Sequence, residues 1–325
     1  MLHDNFGRDF KYLRLSLTKR CNFKCNYCLP NGYNKDNIKE ELSSEEFINL
    51  ATAFCELGIQ KIRLTGGEPT LRKDFFSIAT RLAQIPQLTN LSLTTNGFKL
   101  KENAKRYLES GIKNINISID SLNEEAFKNI TKTNLLNKIL DGLDECLNLG
   151  FNKVKVNVVL LKNYNYYHIN KYLELLKNTP LDVRFIELMP TSDNKDFYQE
   201  EYVSSKNLID LLLSQGWQKV IKSELDGPAN TFYHENYKGK LGIINPYNKS
   251  FCNNCNRLRV DSYGDIILCL LNFGKYSLRQ YLSSSDSKEE LKQAIITALD
   301  KKPEKNLLNS DKNLISNINF SQIGG

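Results

Sequence analysis

Three cysteines stand close together near the start of the chain, within LRLSLTKRCNFKCNYCLP (residues 13–30). Cys21, Cys25 and Cys28 have the spacing Cys-x₃-Cys-x₂-Cys and follow a run of alternating apolar residues, 12–18. Thiolates form a soft ligand set that suits zinc or an iron–sulfur cluster. Structural zinc and a redox [4Fe–4S] cluster each take four protein ligands, so three cysteines leave one iron of a four-iron cluster open to a small molecule. A zinc site with a distant fourth ligand and an incidental group of cysteines are the alternatives.

A second set of three cysteines lies in the last quarter of the chain. Cys252, Cys255 and Cys269 have the spacing Cys-x₂-Cys-x₁₃-Cys, and the same reasoning indicates a four-iron cluster with one open iron. Arg257 and Arg259 alternate just after the second cysteine, so both can face one site, where their planar forks suit phosphate oxygens. The alternative is a zinc site with His234 as its fourth ligand.

Strand-like and helix-like segments alternate up to about residue 188 and must position the first cysteines. The predicted strands are 12–18, 61–65, 90–95, 114–120, 153–161 and 182–188. Six strand–helix units predict a parallel sheet with right-handed crossovers. A closed eight-stranded barrel needs about 250 residues, so an α/β fold with a partial, open (β/α)₆ barrel of TIM-like type is expected.

The alternation stops after Pro190, and this change predicts two domains. Residues 1–190 form the expected barrel, and residues 191–325 form a C-terminal extension that carries the second set of cysteines. Segment 226–242 has the glycine, proline and asparagine content of a hairpin, and segment 288–300 has the pattern of one more amphipathic helix.

Several predicted strands have one polar and one apolar face, although a parallel strand covered on both sides is usually apolar throughout. The apolar faces must contact the helices, which turns Arg14, Arg63 and Lys155 towards the inside of the barrel. Because unpaired buried charges are costly, this lining predicts an anionic ligand. Internal ion pairing, for example with Asp120 or Glu187, is the alternative.

The composition is that of a globular protein without a membrane span. The 325 residues are 41% hydrophobic, and no run of 18 apolar residues occurs. The first residues, MLHDNFGRDF, lack the apolar core of a signal peptide, so a cytoplasmic location is expected. The net charge of +7 is modest; it is compatible with an acidic substrate, but a charge of this size alone is more often that of a solvated surface.

A glycine-rich motif follows the second predicted strand, and together with the first cysteine set it matches a known sequence signature. Thr65-Gly66-Gly67-Glu68-Pro69 follows that strand directly, and Tyr27 precedes the third cysteine. Together these features resemble the radical S-adenosylmethionine (radical SAM) enzymes. The resemblance implies a partial barrel, a [4Fe–4S] cluster on the first cysteines, and SAM bound to its open iron. The SAM contacts that it implies are Tyr27, Gly67, Glu68, Ser118 and Met189.

The second cysteine set, the sequence Asn-Arg-Leu-Arg and the final Gly324-Gly325 resemble one branch of this family, which cyclises GTP in the first step of molybdenum cofactor biosynthesis. The resemblance implies a second [4Fe–4S] cluster whose open iron binds guanine, and a Gly324-Gly325 tail that acts catalytically inside the active site. The GTP contacts that it implies are Arg14, Arg63, Thr94, Lys155, Arg184, Arg257 and Arg259. The small departures are Leu29 and Phe320, where methionine is commoner, and Thr70, where leucine is usual.

The same resemblance implies several partners besides GTP. It implies an external one-electron donor of the flavodoxin or ferredoxin type, a downstream cyclic pyranopterin monophosphate synthase, and a homodimer, with neither nucleic acid nor membrane involved. Two other functions stay open. A peptide-modifying radical SAM enzyme usually has more cysteines in its C-terminal region, and a nucleic-acid-binding metal module would place basic and aromatic residues on its surface.

Overall fold

One mixed sheet forms the centre of the computed structural model, which describes residues 1–34, 39–271, 274–282, 287–306, 308 and 320. In this part of the chain the sheet has twelve strands in the order β12-β11-β10-β1-β2-β3-β4-β5-β6-β9-β8-β7. The strands are β1 (Tyr12–Ser16), β2 (Lys61–Thr65), β3 (Asn90–Thr95), β4 (Asn114–Ser118), β5 (Lys153–Leu160), β6 (Asp182–Glu187), β7 (Gln218–Lys219), β8 (Asn230–Tyr233), β9 (Lys240–Ile244), β10 (Arg257–Val260), β11 (Asp265–Ile267) and β12 (Lys275–Ser277).

Strands β1 to β6 are all parallel and neighbour one another in chain order. Helices connect them, as expected for right-handed crossovers in an α/β fold. The helices of the described residues are α1 (Ser44–Glu56), α2 (Phe75–Ala83), α3 (Leu100–Glu109), α4 (Glu124–Thr131), α5 (Leu136–Asn148), α6 (Ile169–Asn178), α7 (Lys195–Glu201), α8 (Lys206–Ser214) and α9 (Lys288–Leu299). The predicted open (β/α)₆ arrangement is confirmed, and the sheet does not close into a barrel.

The C-terminal residues extend the sheet at both of its edges. Strand β10 pairs in parallel with β1, and β9 pairs in parallel with β6. The predicted hairpin corresponds to the antiparallel pair β8 and β9. Strand β10 and helix α7 were not predicted, because each is short and rich in charged or polar residues.

The strands turn their apolar side chains towards the helices, as their alternation predicts. Leu13 and Leu15 of β1 are fully buried in the same core cluster as Phe47 and Phe54 of α1. Helix α1 begins with a capping box, in which the Ser43 hydroxyl accepts from the backbone N–H of Glu46 and the Glu46 carboxylate accepts from that of Ser43. None of the helices in the described ranges is long and apolar enough to cross a membrane.

Candidate active site

The loop with the first cysteine set is fixed against the end of β2. The backbone N–H of Gly67 donates to Thr18 O at 2.8 Å, and that of Glu68 donates to Arg20 O at 2.7 Å. A Cβ atom on Gly67 would lie 2.3 Å from the Arg20 carbonyl oxygen, so the two chain segments approach as closely as only glycine permits. The Gly-Gly turn therefore holds the cysteine loop over the carboxyl ends of the strands.

A cavity of about 170 Å³ opens between this loop and the ends of the strands. We call it the cysteine-loop cavity. Its lining includes Cys21, Cys25, Cys28, Tyr27, Gly67, Thr94, Ser118, Asp120, Met189 and Phe320. The structure thus brings together the first three cysteines and four of the five residues predicted to contact SAM.

Glu68, the fifth of these residues, lies behind the cavity wall. Its side chain is fully buried, and its carboxylate accepts from Thr70 Oγ1 at 2.6 Å, Thr95 Oγ1 at 2.9 Å and the backbone N–H of Asn96 at 2.7 Å. Burial raises the pKa of this carboxyl, while these hydrogen bonds lower it. Its contacts tie the ends of β2 and β3 together, so the geometry favours a positioning role over direct contact with SAM.

Tyr27 and Asp120 form a hydrogen-bonded pair on the cavity wall. The Tyr27 hydroxyl donates to Asp120 Oδ2 at 2.7 Å, and the backbone N–H of Val159 donates to Oδ1 at 2.8 Å. Burial raises the pKa of Asp120 to about 6, although both hydrogen bonds oppose this shift. The sequence indicated Asp120 as a candidate internal ion-pair partner and as a residue at the end of the fourth strand, and its contact with Tyr27 requires the fold.

A second cavity of about 330 Å³ is lined by cations on several strands. We call it the arginine cavity. Its lining includes six of the seven residues predicted to contact GTP, namely Arg14, Arg63, Lys155, Arg184, Arg257 and Arg259. Thr94 lies in the cysteine-loop cavity instead, where its Oγ1 accepts from Arg63 Nη1 at 3.4 Å.

Three of these arginines stand side by side because of the strand register. Arg14 of β1 is directly opposite Arg63 of β2 and Arg259 of β10. Arg63 and Arg259 are only 4% and 5% exposed. Buried like charges on neighbouring strands repel one another. An anion in the cavity would offset this repulsion and so stabilise the row.

One cation of the cavity has a carboxylate partner. Ion pairing inside the barrel was the alternative to an anionic ligand. Lys155 pairs with Asp182, its register neighbour on β6, and not with Asp120 or Glu187. In the described part of the chain, no carboxylate lies within ion-pairing distance of Arg63, Arg184 or Arg259, and the buried Nε of Arg259 has no hydrogen-bond partner. Internal pairing therefore does not balance the charge.

The pKa values of the cavity cations reflect this imbalance. Burial and the neighbouring Arg184 lower the pKa of Lys155 to about 8. Burial and Arg63 lower the pKa of Arg184 to about 10. Burial, Arg257 and Arg14 lower the pKa of Arg259 to about 9. A bound anion would reverse these shifts, because it favours the charged form of each group.

The second cysteine set lines the arginine cavity together with the cations. Cys252, Cys255 and Cys269 are all on its wall. Burial raises the pKa of Cys255, but Arg257 and Lys302 outweigh burial and lower it to about 6, which favours the thiolate. His234 is not on this wall, and its ring packs 5.6 Å from that of Trp217 in an aromatic group, so nothing favours it as a zinc ligand.

Both cysteine sets have the chemistry of cluster ligands. Asn306 Nδ2 donates to Cys252 Sγ at 3.4 Å, and the backbone N–H of Phe23 donates to Cys21 Sγ at 3.4 Å. Such N–H groups stabilise cluster sulfurs and tune their potential. Among the residues described, no three His, Cys, Asp or Glu side chains converge on a point for a single metal ion. A four-iron cluster is wider than one ion, and the three thiols of each set, with an N–H donor beside one of their sulfurs, are the chemistry that would hold one.

The two cavities share part of their lining. Asn157, Ile186 and Met189 contribute to both walls. The two cavities therefore adjoin at these three side chains. The arrangement therefore suits a reaction between two small molecules that are held side by side.

Comparison with known proteins identifies the family. Residues 15–176 match the Radical SAM superfamily, and residues 181–308 match Molybdenum Cofactor Synthesis C. The GTP 3′,8-cyclase of Psychromonas ingrahamii is 46% identical over 301 residues, which is 93% of this chain and 89% of that protein. That of Haemophilus influenzae strain 86-028NP is 43% identical over 325 residues, 100% of this chain and 96% of that protein. The chain belongs to the GTP 3′,8-cyclase family.

Comparison with solved structures finds the same fold in another protein. The crystal structure of Streptococcus suis SuiB bound to S-adenosylmethionine superposes with a TM-score of 0.64 at 12% identity, and covers 91% of this chain and 69% of SuiB. At this identity the likeness concerns the fold alone. Membership of the cyclase family confirms SAM and iron–sulfur chemistry as cofactor predictions, whereas two clusters, rather than one, remain a prediction.

Two residues of the site in this member of the cyclase family were not predicted from the sequence. Tyr12 and Lys61 also line the arginine cavity, at the start of β1 and β2. Their position on the same faces as Arg14 and Arg63 is the sequence signal that would have identified them. The predicted catalytic residues Gly324 and Gly325 lie outside the described residues.

Proposed function

We propose that this chain is a radical SAM enzyme that converts GTP to (8S)-3′,8-cyclo-7,8-dihydroguanosine 5′-triphosphate, the first step of molybdenum cofactor biosynthesis. The observation that carries the proposal is the row of Arg14, Arg63 and Arg259, which faces one cavity next to the cysteine-loop cavity. Family membership supports the same reaction.

In this proposal the arginine cavity binds the nucleotide through its triphosphate. Arg14, Arg63 and Arg259 supply guanidinium forks, which bind phosphate oxygens in pairs of charge-assisted hydrogen bonds. Lys155, Arg184 and Arg257 add positive charge on the same wall. Six cations suit a ligand with several negative charges, and they fix the position of the ribose that is attached to it.

The same cavity wall offers the base a place at the second cysteine set. Cys252, Cys255 and Cys269 would hold an iron–sulfur cluster there, next to the arginines. Guanine would lie at this end of the cavity, so that the nucleotide extends between the cysteines and the row of arginines. Met189 and Asn157, on the shared wall, would then contact its ribose side.

The cysteine-loop cavity would hold SAM beside a cluster on Cys21, Cys25 and Cys28. Cys21, Cys25 and Cys28 would hold that cluster, which would supply the electron for reductive cleavage of SAM to methionine and a 5′-deoxyadenosyl radical. Tyr27, Gly67, Ser118 and Met189 line the cavity and would orient SAM towards the shared wall. Glu68 keeps the ends of β2 and β3 in place.

The proposed reaction also defines partners. It consumes electrons, which an external flavodoxin- or ferredoxin-type donor would deliver. Its product would pass to a cyclic pyranopterin monophosphate synthase. The homodimer and the cytoplasmic location stay predictions from the sequence.

The test uses the protein with reconstituted clusters under anaerobic conditions, with GTP, SAM and a chemical reductant. Product analysis by mass spectrometry should find 5′-deoxyadenosine and the cyclised nucleotide. Cys25→Ala should abolish both, because two cysteines no longer hold a cluster with an open iron. Cys146→Ala is the control, since Cys146 is a buried residue of α5 that lines neither cavity. Normal formation of 5′-deoxyadenosine by the Cys25 variant would contradict the proposal.

A further inference from the structure

Tyr12 occupies an unusual place among the cations of the arginine cavity. Its side chain is 3% exposed, and Arg63 Nε donates to its hydroxyl oxygen at 2.6 Å. Lys61 Nζ lies 4.7 Å from the centre of its ring. On the neighbouring strands its register partners are Lys61 and Arg257. The phenol is therefore an acidic group in direct contact with the row of arginines.

The charged groups around Tyr12 favour its ionised form. Arg14 lies on the same strand, Lys61 and Arg63 lie on β2, and Arg257 lies on β10. Arg184 and the carboxylate of Asp226 also line the cavity. Positive groups thus predominate on each neighbouring element.

The neighbouring cations determine the pKa of the Tyr12 phenol. Burial raises the pKa of Tyr12, but Arg63, Arg14 and Lys61 outweigh burial and lower it to about 6. Other buried tyrosines of this protein shift in the opposite direction, and burial raises the pKa of Tyr172 well above its usual value. The difference comes from the cations, because both side chains are buried.

We propose that Tyr12 is a positioning residue and the counter-charge of the arginine cavity, whose phenolate oxygen holds Arg63 in the substrate-free protein and takes up a proton when GTP binds. The inference rests on the proposed function, since it needs a polyanion in this cavity. The triphosphate neutralises Arg14, Lys61 and Arg63, so it removes the cause of ionisation. The phenolate then gains a proton from solvent, and its hydroxyl still accepts from Arg63.

The consequence for pH follows from linkage between binding and protonation. Below about pH 6 the phenol is already protonated, and GTP binding moves no proton at Tyr12. Above that pH the free protein holds a phenolate and the complex a phenol, so binding takes up as much as one proton. GTP affinity therefore falls as the pH rises, by as much as about tenfold per pH unit.

The experiment is calorimetric titration of the cluster-loaded, anaerobic protein with GTP, without SAM, at about pH 8. Two buffers with different protonation enthalpies give the number of protons taken up. The wild-type protein should take up about one proton more than Tyr12→Phe. Protons exchanged by the nucleotide or by the cysteines are common to both proteins. The control Tyr172→Phe, which removes a buried hydroxyl bonded to Ile119 O, should match the wild type.

Equal proton uptake by the wild type and Tyr12→Phe would overturn the inference and leave the proposed function intact. If the wild type failed to bind GTP, the proposed function would fall, and this inference with it. Should Tyr12→Phe not fold, the wild type alone decides the matter. Its tyrosinate absorption in the ultraviolet should fall when GTP is added, and an unchanged spectrum would overturn the inference.

Discussion

At the scale of single residues, the row of arginines gives the most direct test of the nucleotide site. Arg63→Ala and Arg259→Ala should each weaken GTP binding by about 1.5–3 kcal/mol, because each loses hydrogen bonds between charged partners. Calorimetry with the cluster-loaded protein measures the change. Arg81→Ala is the control, since Arg81 pairs with Glu45 on the surface. Affinities equal to that of the control would show that phosphate binds elsewhere.

The sequence predicted these arginines better than it predicted their partners. Charged residues that alternate with leucine or isoleucine along a strand must share one face, so Arg14 and Arg63 could be assigned to the interior. The pair of Lys155 and Asp182 could not, because it depends on the register of two adjacent strands. The sequence alone contains no signal for that register.

At the scale of elements, the turn after β2 controls the position of the cysteine loop. Gly67→Ala should push the loop away from β2, since its Cβ would lie 2.3 Å from Arg20 O. We expect reduced iron content and loss of SAM cleavage, with the fold retained by circular dichroism. Gly150→Ala, just after α5, meets no atom within 4 Å but is strained at its φ of +76°, so it is the control for lost stability without a clash. Full iron loading of the Gly67 variant would contradict this role.

Elements after residue 190 were predicted less completely than those before it. The six crossover units have long periodic segments, which are reliable signals. Strand β10 has only four residues, Arg257–Val260, and two of them are charged, so its polarity resembled that of a loop. Its parallel partner β1 lies at the other end of the chain, and no local pattern indicates so distant a pairing.

At the scale of the whole molecule, the C-terminal region protects both edges of the six-stranded sheet. A chain that ends at Pro190 would expose β1 and β6, whose unpaired backbone groups favour aggregation. We expect this truncated chain to be insoluble, although the division into 1–190 and 191–325 stays our proposal. Centrifugation and size-exclusion chromatography of the expressed fragment measure the outcome. A monomeric, folded fragment would show that the barrel is independently stable.

The chain end supplies a second prediction at this scale. Phe320 is 6% exposed and lines the cysteine-loop cavity, so the five residues after it can extend at most about 17 Å from it. Deletion of Gly324 and Gly325 should leave the clusters and GTP binding largely intact but abolish the cyclised nucleotide. Joint measurement of 5′-deoxyadenosine and product tests this, with the full-length protein as control. An unchanged product yield would show that the two glycines have no catalytic role.

The wall that the two cavities share has a consequence for inhibitor design. Because Asn157, Ile186 and Met189 line both cavities, a short linker would suffice to join an adenosine fragment to a guanosine triphosphate fragment. Binding of the first fragment would then hold the second at a high effective concentration, on the order of millimolar for a short flexible linker. Such a bisubstrate compound would distinguish this enzyme from other proteins that bind GTP alone.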